Sequence, residues 1–193
     1  MARTKDFDEK EVLKKAIGLF WDKGYNGTSM QDLVDGLGIS RSSLYDTFGD
    51  KHQLYVRALQ AYRDGHGGKM CTLISEAPSA KEAMQQLLQM VVDNLLGDEQ
   101  RRGCFMVNAG VELAAHDAEV GTLVCENEQQ LEQAFLMVIK KGQSDGELDK
   151  AKDPQALARF FGNTVKGLQV SVKSTTDKDF FEDVIKTALS ILD

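Results

Sequence analysis

Apolar residues recur three or four positions apart along most of the chain, and no segment alternates polar with apolar residues as a half-buried strand would. Glycines, prolines and capping residues separate these segments where helices would begin and end. The pattern therefore predicts an all-α protein. The predicted helices cover about residues 8–24, 28–37, 40–48, 50–65, 78–97, 103–115, 117–141, 153–175 and 178–192.

Two of the predicted helices are short and lie very close together in sequence. Thr28 and Gln31 form a predicted capping box at the start of the first, and Ser40 is the predicted N-cap of the second, which ends at Gly49. Only a tight turn containing Gly38 separates them. This arrangement is typical of a helix-turn-helix, whose second helix enters the major groove of DNA.

The second short helix carries one long donor among small hydroxyl side chains. Arg41 is the predicted reader of base edges, and the small hydroxyls allow the backbone to approach the bases closely. Side chains at the ends of the motif are predicted to reach phosphate oxygens, helped by helix N-termini. An adaptor that uses the motif to bind protein is the alternative function. For single residues, the alternative to a phosphate contact is packing of Tyr45 and a solvated Lys51 in the first turn of its helix. The predicted DNA-binding residues are Thr28, Ser40, Arg41, Ser42, Ser43, Tyr45, Thr47 and Lys51.

Residues 14–59, KKAIGLFWDKGYNGTSMQDLVDGLGISRSSLYDTFGDKHQLYVRAL, resemble the TetR family of bacterial transcriptional regulators. The resemblance implies an N-terminal three-helix DNA-binding domain, a connecting fourth helix, and a larger C-terminal helical domain for ligand binding and dimerisation. It places the DNA-binding domain at residues 1–49, the C-terminal domain at 50–193 and the connecting helix at 50–66. It also implies repression that a small molecule relieves. Asp46 and Gly49 depart from the family, where many members have a cation or neutral polar residue and a proline.

Charge is distributed unevenly along the 193 residues, which carry a net charge of -7. Residues 1–66 hold ten Lys and Arg and ten Asp and Glu, so the acidic excess lies entirely in the remainder. A neutral N-terminal third is compatible with DNA binding if its cations share one face, whereas DNA would repel the acidic part. No apolar run approaches the roughly 18 residues of a membrane helix, and no secretory signal is visible, so a cytoplasmic protein without a membrane partner is expected.

A polar stripe crosses the otherwise apolar segment 103–115. Cys104, Asn108 and Glu112 are spaced four residues apart, so they share one helix face. They line a predicted effector pocket, or alternatively lie at the solvent edge or in an internal hydrogen bond. The predicted effector-binding residues are Met70, Cys71, Cys104, Phe105, Asn108 and Glu112.

Cys104 also raises the alternative of a redox-sensing or electrophile-sensing regulator. It follows Arg101 and Arg102 near a helix N-terminus, which would lower its pKa, although most single cysteines are inert packing. The three cysteines form no disulfide framework, and the three histidines are scattered, so neither a metal site nor a cofactor is predicted. The sequence contains no glycine-rich phosphate loop and no G-x-S-x-G nucleophile motif. The alternative of an enzyme would need Cys104 and a distant histidine as its catalytic pair, so the chain is not predicted to be an enzyme.

The last two predicted helices carry more apolar residues than one small domain would hide. Pairing two copies through them, as a four-helix interface, would place two recognition helices about 34 Å apart on one face of a duplex. A palindromic operator follows from the two-fold symmetry. The predicted partners are therefore double-stranded operator DNA, a second copy of the chain and an unidentified small-molecule effector. The predicted dimerisation residues are Phe160, Phe161, Val165, Leu168, Val172, Phe181, Val184, Ile185 and Leu189.

Overall fold

The computed structural model describes residues 7–193, except for the side chains of residues 66–71. Over this range the regular structure is entirely helical, which confirms the predicted all-α class. None of the helices that it describes is both long and apolar enough to cross a membrane. The helices are α1 (Glu9–Gly27), α2 (Met30–Leu37), α3 (Arg41–Phe48), α4 (Lys51–Glu76), α5 (Ala80–Leu96), α6 (Phe105–Glu112), α7 (Ala118–Ser144), α8 (Pro154–Ser171) and α9 (Lys178–Ser190).

Most helices begin where a short polar side chain caps the first free amides. Asp50 accepts from the Gln53 amide at the start of α4, and Asp153 precedes Pro154 at the start of α8. The capping box of α2 is formed by Ser29 and Asp32, one residue later than the predicted pair that began at Thr28. The predicted pair was wrong because Thr28 is buried and its hydroxyl bonds to the Gly24 carbonyl.

Helix α4 is longer than predicted and connects the two ends of the molecule. It continues through Gly65 to Glu76, because each helical glycine costs only about 1 kcal/mol, less than the packing at either end supplies. Leu59 packs in the N-terminal core, and Leu73 packs against the C-terminal one. At 1.5 Å per residue the helix is about 39 Å long.

The chain has two hydrophobic cores, and their boundary does not follow the order of the sequence. The C-terminal core joins α5, α8, α9 and most of α7. The N-terminal core joins α1–α4, but it also contains Phe105 and Met106 of α6 and Val120 of α7. Helix α6 is therefore packed directly onto the helix-turn-helix region. Its outer side is open, since Val111 is 83% exposed, although the segment is mostly apolar.

Candidate functional site

Helices α2 and α3 form the predicted helix-turn-helix. Gly38 ends α2 in the left-handed conformation (φ 70°, ψ 27°), which a glycine adopts without steric cost. Leu33 and Leu37 of α2 and Leu44 and Phe48 of α3 are buried in the N-terminal core. Because these four side chains fix both helices against α1 and α4, the opposite face of α3 is presented to solvent at a defined angle.

The exposed face of α3 carries the polar side chains that the sequence singled out. An α-helix turns by about 100° per residue, so Ser42 and Asp46 lie opposite the buried Leu44 and Phe48. Arg41, Ser42 and Asp46 are exposed, and the Tyr45 side chain is 45% exposed. Within the described range, no hydrogen bond or ion pair ties down the Arg41 guanidinium. Arg41 begins α3, so the N-terminus of this helix offers a free donor with a long reach beside the exposed face.

Three serine hydroxyls are linked at the N-terminus of α3. The Ser40 Oγ accepts from the Ser43 amide (3.1 Å), donates to the Ser43 Oγ (2.9 Å) and lies 3.0 Å from the Ser42 Oγ. Because Ser40 has a single hydroxyl hydrogen, Ser42 must donate to Ser40. The hydroxyl hydrogen of Ser43 then remains available to an external acceptor.

Thr28 does not belong to this exposed surface. Its side chain is 0% exposed, and its Oγ1 donates to the Gly24 carbonyl at 2.6 Å. The prediction that Thr28 contacts phosphate is therefore contradicted. The exposed N-terminus of α2 was not among the predicted sites; there the Lys23 ammonium and the Ser29 hydroxyl and amide donate to the Asp32 carboxylate. The Ser29 and Asp32 spacing was visible in the sequence as a capping pair.

Lys51 begins α4 beside the same surface. Its ammonium lies 4.3 Å from the centre of the Tyr25 ring, a cation–π contact. Partial burial lowers the pKa of Lys51 from its ordinary value, while the negative charges of Glu112 and Asp32 act in the opposite direction. The ammonium is thus held at the junction of α1 and α4.

Glu112 joins α6 to the end of α1. Its two carboxylate oxygens accept from the backbone amides of Tyr25 (2.9 Å) and Asn26 (2.7 Å). Those amides are free because α1 breaks at Gly24, whose backbone is left-handed (φ 74°, ψ 173°). Asn108, on the same face of α6, donates to the Arg102 carbonyl at 2.9 Å. Internal hydrogen bonds therefore explain both side chains, and the structure contradicts their placement in an effector pocket.

A second link connects α7 to the first turn of α4. Asp117 is the N-cap of α7, accepts from the Glu119 and Val120 amides at 3.1 Å, and lies 2.6 Å from the His52 Nε2. The Val120 amide, then His52, holds the pKa of the Asp117 carboxyl below its ordinary value. The corner between α6 and α7 is therefore tied to α1 and α4 by two carboxylates.

Cys104 lies in an aromatic cluster between these links. It is buried at the N-terminus of α6, where the Tyr62 hydroxyl donates to its Sγ at 3.9 Å. The Tyr62 ring lies 5.1 Å from Trp21 and 5.6 Å from Phe105. Burial raises the pKa of the Cys104 thiol more than neighbouring amides lower it, so the predicted lowering was wrong. The side chains of Met70 and Cys71, the other predicted pocket residues, lie outside the described part of the chain.

The predicted dimerisation residues fall on two sides of α8 and α9. Phe160 is 40% exposed and faces outward, whereas Val184 and Leu189 are partly buried at the edge of the C-terminal core. Phe180 (39% exposed) and Val170 (48% exposed) lie on the outer side too and were missed. The remaining six pack inside the C-terminal core of their own chain, so assigning them to an interface was wrong: Phe161, Val165, Leu168, Val172, Phe181 and Ile185.

An all-helical chain with an exposed recognition helix and a separate helical core defines a helix-turn-helix transcriptional regulator. Residues 12–58 match the bacterial regulatory proteins of the tetR family, and residues 80–188 match the tetracyclin repressor-like C-terminal domain. The chain belongs to the TetR family of transcriptional regulators. Within the described residues, no group of three or more histidine, cysteine or acidic side chains is arranged to hold a metal ion.

Similar proteins cover the whole chain. An uncharacterized HTH-type transcriptional regulator of Bacillus subtilis strain 168, YezE, is 36% identical over 100% of both chains. The transcriptional repressor ComR of Escherichia coli K12 is 26% identical, over 98% of this chain and 90% of its own length. Among solved structures, a cysteine mutant of the TetR family regulator CifR, complexed with 26-bp double-strand operator DNA, has a TM-score of 0.89 at 29% identity, covering 100% of both chains.

Proposed function

We propose that this regulator represses transcription by binding a palindromic operator as a homodimer, and that a small-molecule effector releases it. The observation that carries the proposal is the exposed polar face of α3, held rigidly by four buried side chains. The name of ComR as a repressor and the operator complex of CifR support it by similarity. In this proposal the chain acts by binding and not by catalysis.

The proposed DNA contacts follow from the chemistry of each exposed group. Arg41 reads a guanine, since its guanidinium is free and matches the two acceptors of that base. Ser40, Ser42, Ser43 and Thr47 allow close approach of α3. Tyr45 and Lys51 contact phosphates, and Lys23, whose ammonium has N–H groups left beyond the one given to Asp32, takes the place predicted for Thr28.

The proposed domain division is residues 1–49 for DNA binding and 50–193 for effector binding and dimerisation. Helix α4 spans both, because it packs in each core. The proposed dimer interface is the outward side of α8 and α9, with Phe160, Phe180 and Val184 at one end and Val170 at the other. Gly167 lies between them, and an added Cβ there would meet nothing within 4 Å, so a partner helix could approach closely.

A mobility-shift titration against the upstream region of the gene itself and a library of random duplexes tests this function. Arg41→Ala is expected to cost about 1–3 kcal/mol of binding free energy and to relax the base preference at one position. Lys51→Ala is expected to weaken all duplexes alike and to flatten the salt dependence by about one unit. A chain that stays monomeric at micromolar concentration and binds no duplex at low ionic strength would refute the proposal.

A further inference from the structure

Viewed down the axis of α3, Asp46 lies at the centre of the exposed side, directly opposite the buried side. It is separated by about 160° from each of the two buried residues of this helix, Leu44 and Phe48, at 100° per residue. Its side chain is exposed, and Ser42, one turn earlier, lies on the same line of the helix surface. Any approach of this face to DNA therefore brings the Asp46 carboxylate toward the base pairs.

The fold of the chain itself gives no reason for an acidic residue at this position. Asp46 lies in the last turn of α3, where the helix dipole disfavours a negative charge by roughly 0.3–1 kcal/mol. Positions one turn away hold Ser42, Ser43 and Asp50, so no cation compensates it along the helix. Among residues 7–193, no side chain or amide donates to its carboxylate. A residue that opposes local stability in this way is typical of a functional position.

A carboxylate on a DNA-binding face repels the phosphates of every duplex, which lowers affinity without regard to sequence. Two bases present an amino donor in the major groove, cytosine through N4 and adenine through N6, whereas guanine and thymine present acceptors. Cytosine is the better partner, because the N7 acceptor of adenine lies beside its N6 donor and repels the second carboxylate oxygen. We propose that Asp46 determines operator specificity by accepting a hydrogen bond from the N4 amino group of one cytosine in each half-site. This inference rests on the proposed DNA-binding function.

The position of Arg41 relates the guanine proposed for it to this cytosine. The two side chains carry opposite charges and therefore select opposite groups, acceptors by Arg41 and a donor by Asp46. They are separated by about 7.5 Å along the helix and by about 140° around it, so they contact different base pairs. Each half-site should thus contain a required guanine and a separate required C·G pair.

Selection of bound duplexes from a random library tests the assignment with the full-length dimer. The proteins compared are the wild type, Asp46→Ala and Asp46→Asn, with Asp22→Ala as the matched control. Asp22 is an exposed carboxylate of α1, and its replacement changes the net charge by the same amount. Circular dichroism and the dimer fraction verify that each variant is folded before selection.

The wild type should require the C·G pair, and replacing it should weaken binding about 5- to 150-fold. Asp46→Ala should lose that requirement and bind non-operator DNA more tightly, and Asp46→Asn should shift the preference toward adenine, which an amide recognises through N6 and N7. Asp22→Ala should keep the wild-type motif. If Asp46→Ala keeps the wild-type motif, the Asp46 assignment is wrong although the proposed function stands. If the wild type selects no motif at all, both are wrong.

Discussion

The hydrogen bonds from Glu112 to the end of α1 lead to a sharp prediction for Glu112→Gln. The carboxylate accepts from two backbone amides, those of Tyr25 and Asn26, through its two oxygens. Glutamine has nearly the same shape, but only one of its two terminal atoms is an acceptor. Its NH₂ group would therefore face one of the two amide N–H groups, and both are donors.

The size of the effect follows from the hydrogen bonds lost. A hydrogen bond to a charged group contributes about 1.5–3 kcal/mol, and a neutral one about 0.5–1.5 kcal/mol. Glutamine keeps one neutral bond and leaves the second amide without a partner, although Asn26 is exposed and water compensates part of that loss. We expect the free energy of unfolding to fall by about 2–4 kcal/mol. Operator affinity should fall too, because these amides lie only three and four residues before the N-cap of α2.

Urea unfolding at equal protein concentration measures the stability change, and a titration against the selected operator measures the change in affinity. Glu99→Gln is the matched control, since Glu99 is exposed and its replacement alters the charge equally. Gly24→Ala offers an independent route to the same loss, because an added Cβ would lie 2.8 Å from the Glu112 Oε2 on a left-handed backbone.

The reasoning would be refuted by a Glu112→Gln protein that unfolds at the same urea concentration as Glu99→Gln and binds the operator equally well. A protein destabilised as expected, but with unchanged affinity, would limit Glu112 to a role in folding. Gly24→Ala distinguishes these cases, because it disturbs the same two amides without altering the charge of α6.

Three further predictions concern other parts of the chain. The pKa of Asp117 is lowered in the folded state, so its contribution to stability is present above the ordinary value near 3.9 and is lost as pH falls through the lower folded value. In urea titrations at a series of pH values, Asp117→Asn should therefore reduce the loss of unfolding free energy at acid pH, and an unchanged pH dependence would contradict this role. Iodoacetamide should label exposed Cys125 before buried Cys104 at neutral pH, as mass mapping over time would show, and equal rates would contradict the raised pKa of Cys104. Gly103→Ala should lower the melting temperature, because the left-handed backbone costs about 1–2 kcal/mol and the added Cβ would lie 2.4 Å from the Gln169 carbonyl oxygen; an unchanged melting temperature would contradict that packing.

The helix-turn-helix was predictable from sequence because its signals are local. Ser40, Gly38 and the spacing of Leu44 and Phe48 act within a few residues, and each does in the structure what the sequence indicated. Thr28 was misassigned because its hydroxyl bonds back to the Gly24 carbonyl where α1 breaks, and the spacing from Thr28 to Gln31 does not indicate that break.

Contacts between distant segments were not predictable from periodicity. Glu112 and Asn108 lie on one helix face as expected, but their partners are a helix end 86 residues away and a carbonyl in the preceding loop. In α8, the apolar pattern did not distinguish the buried Phe161 from the exposed Phe160, because hydrophobicity alone does not tell which apolar side meets the core of the same chain.

The strength of the contacts between the α6–α7 corner and the DNA-binding region limits how an effector could release DNA. Moving the population from 99:1 to 1:99 takes roughly 5.5 kcal/mol of differential binding. The two hydrogen bonds of Glu112, at about 1.5–3 kcal/mol each, sum to about 3–6 kcal/mol and reach this value only near the top of that range. The His52 contact with Asp117 and the packing of Tyr62 against Phe105 would contribute further if they changed in the same transition. Because the three contacts join α6 or the α6–α7 corner to α1 and α4, a displacement of α6 would alter them together.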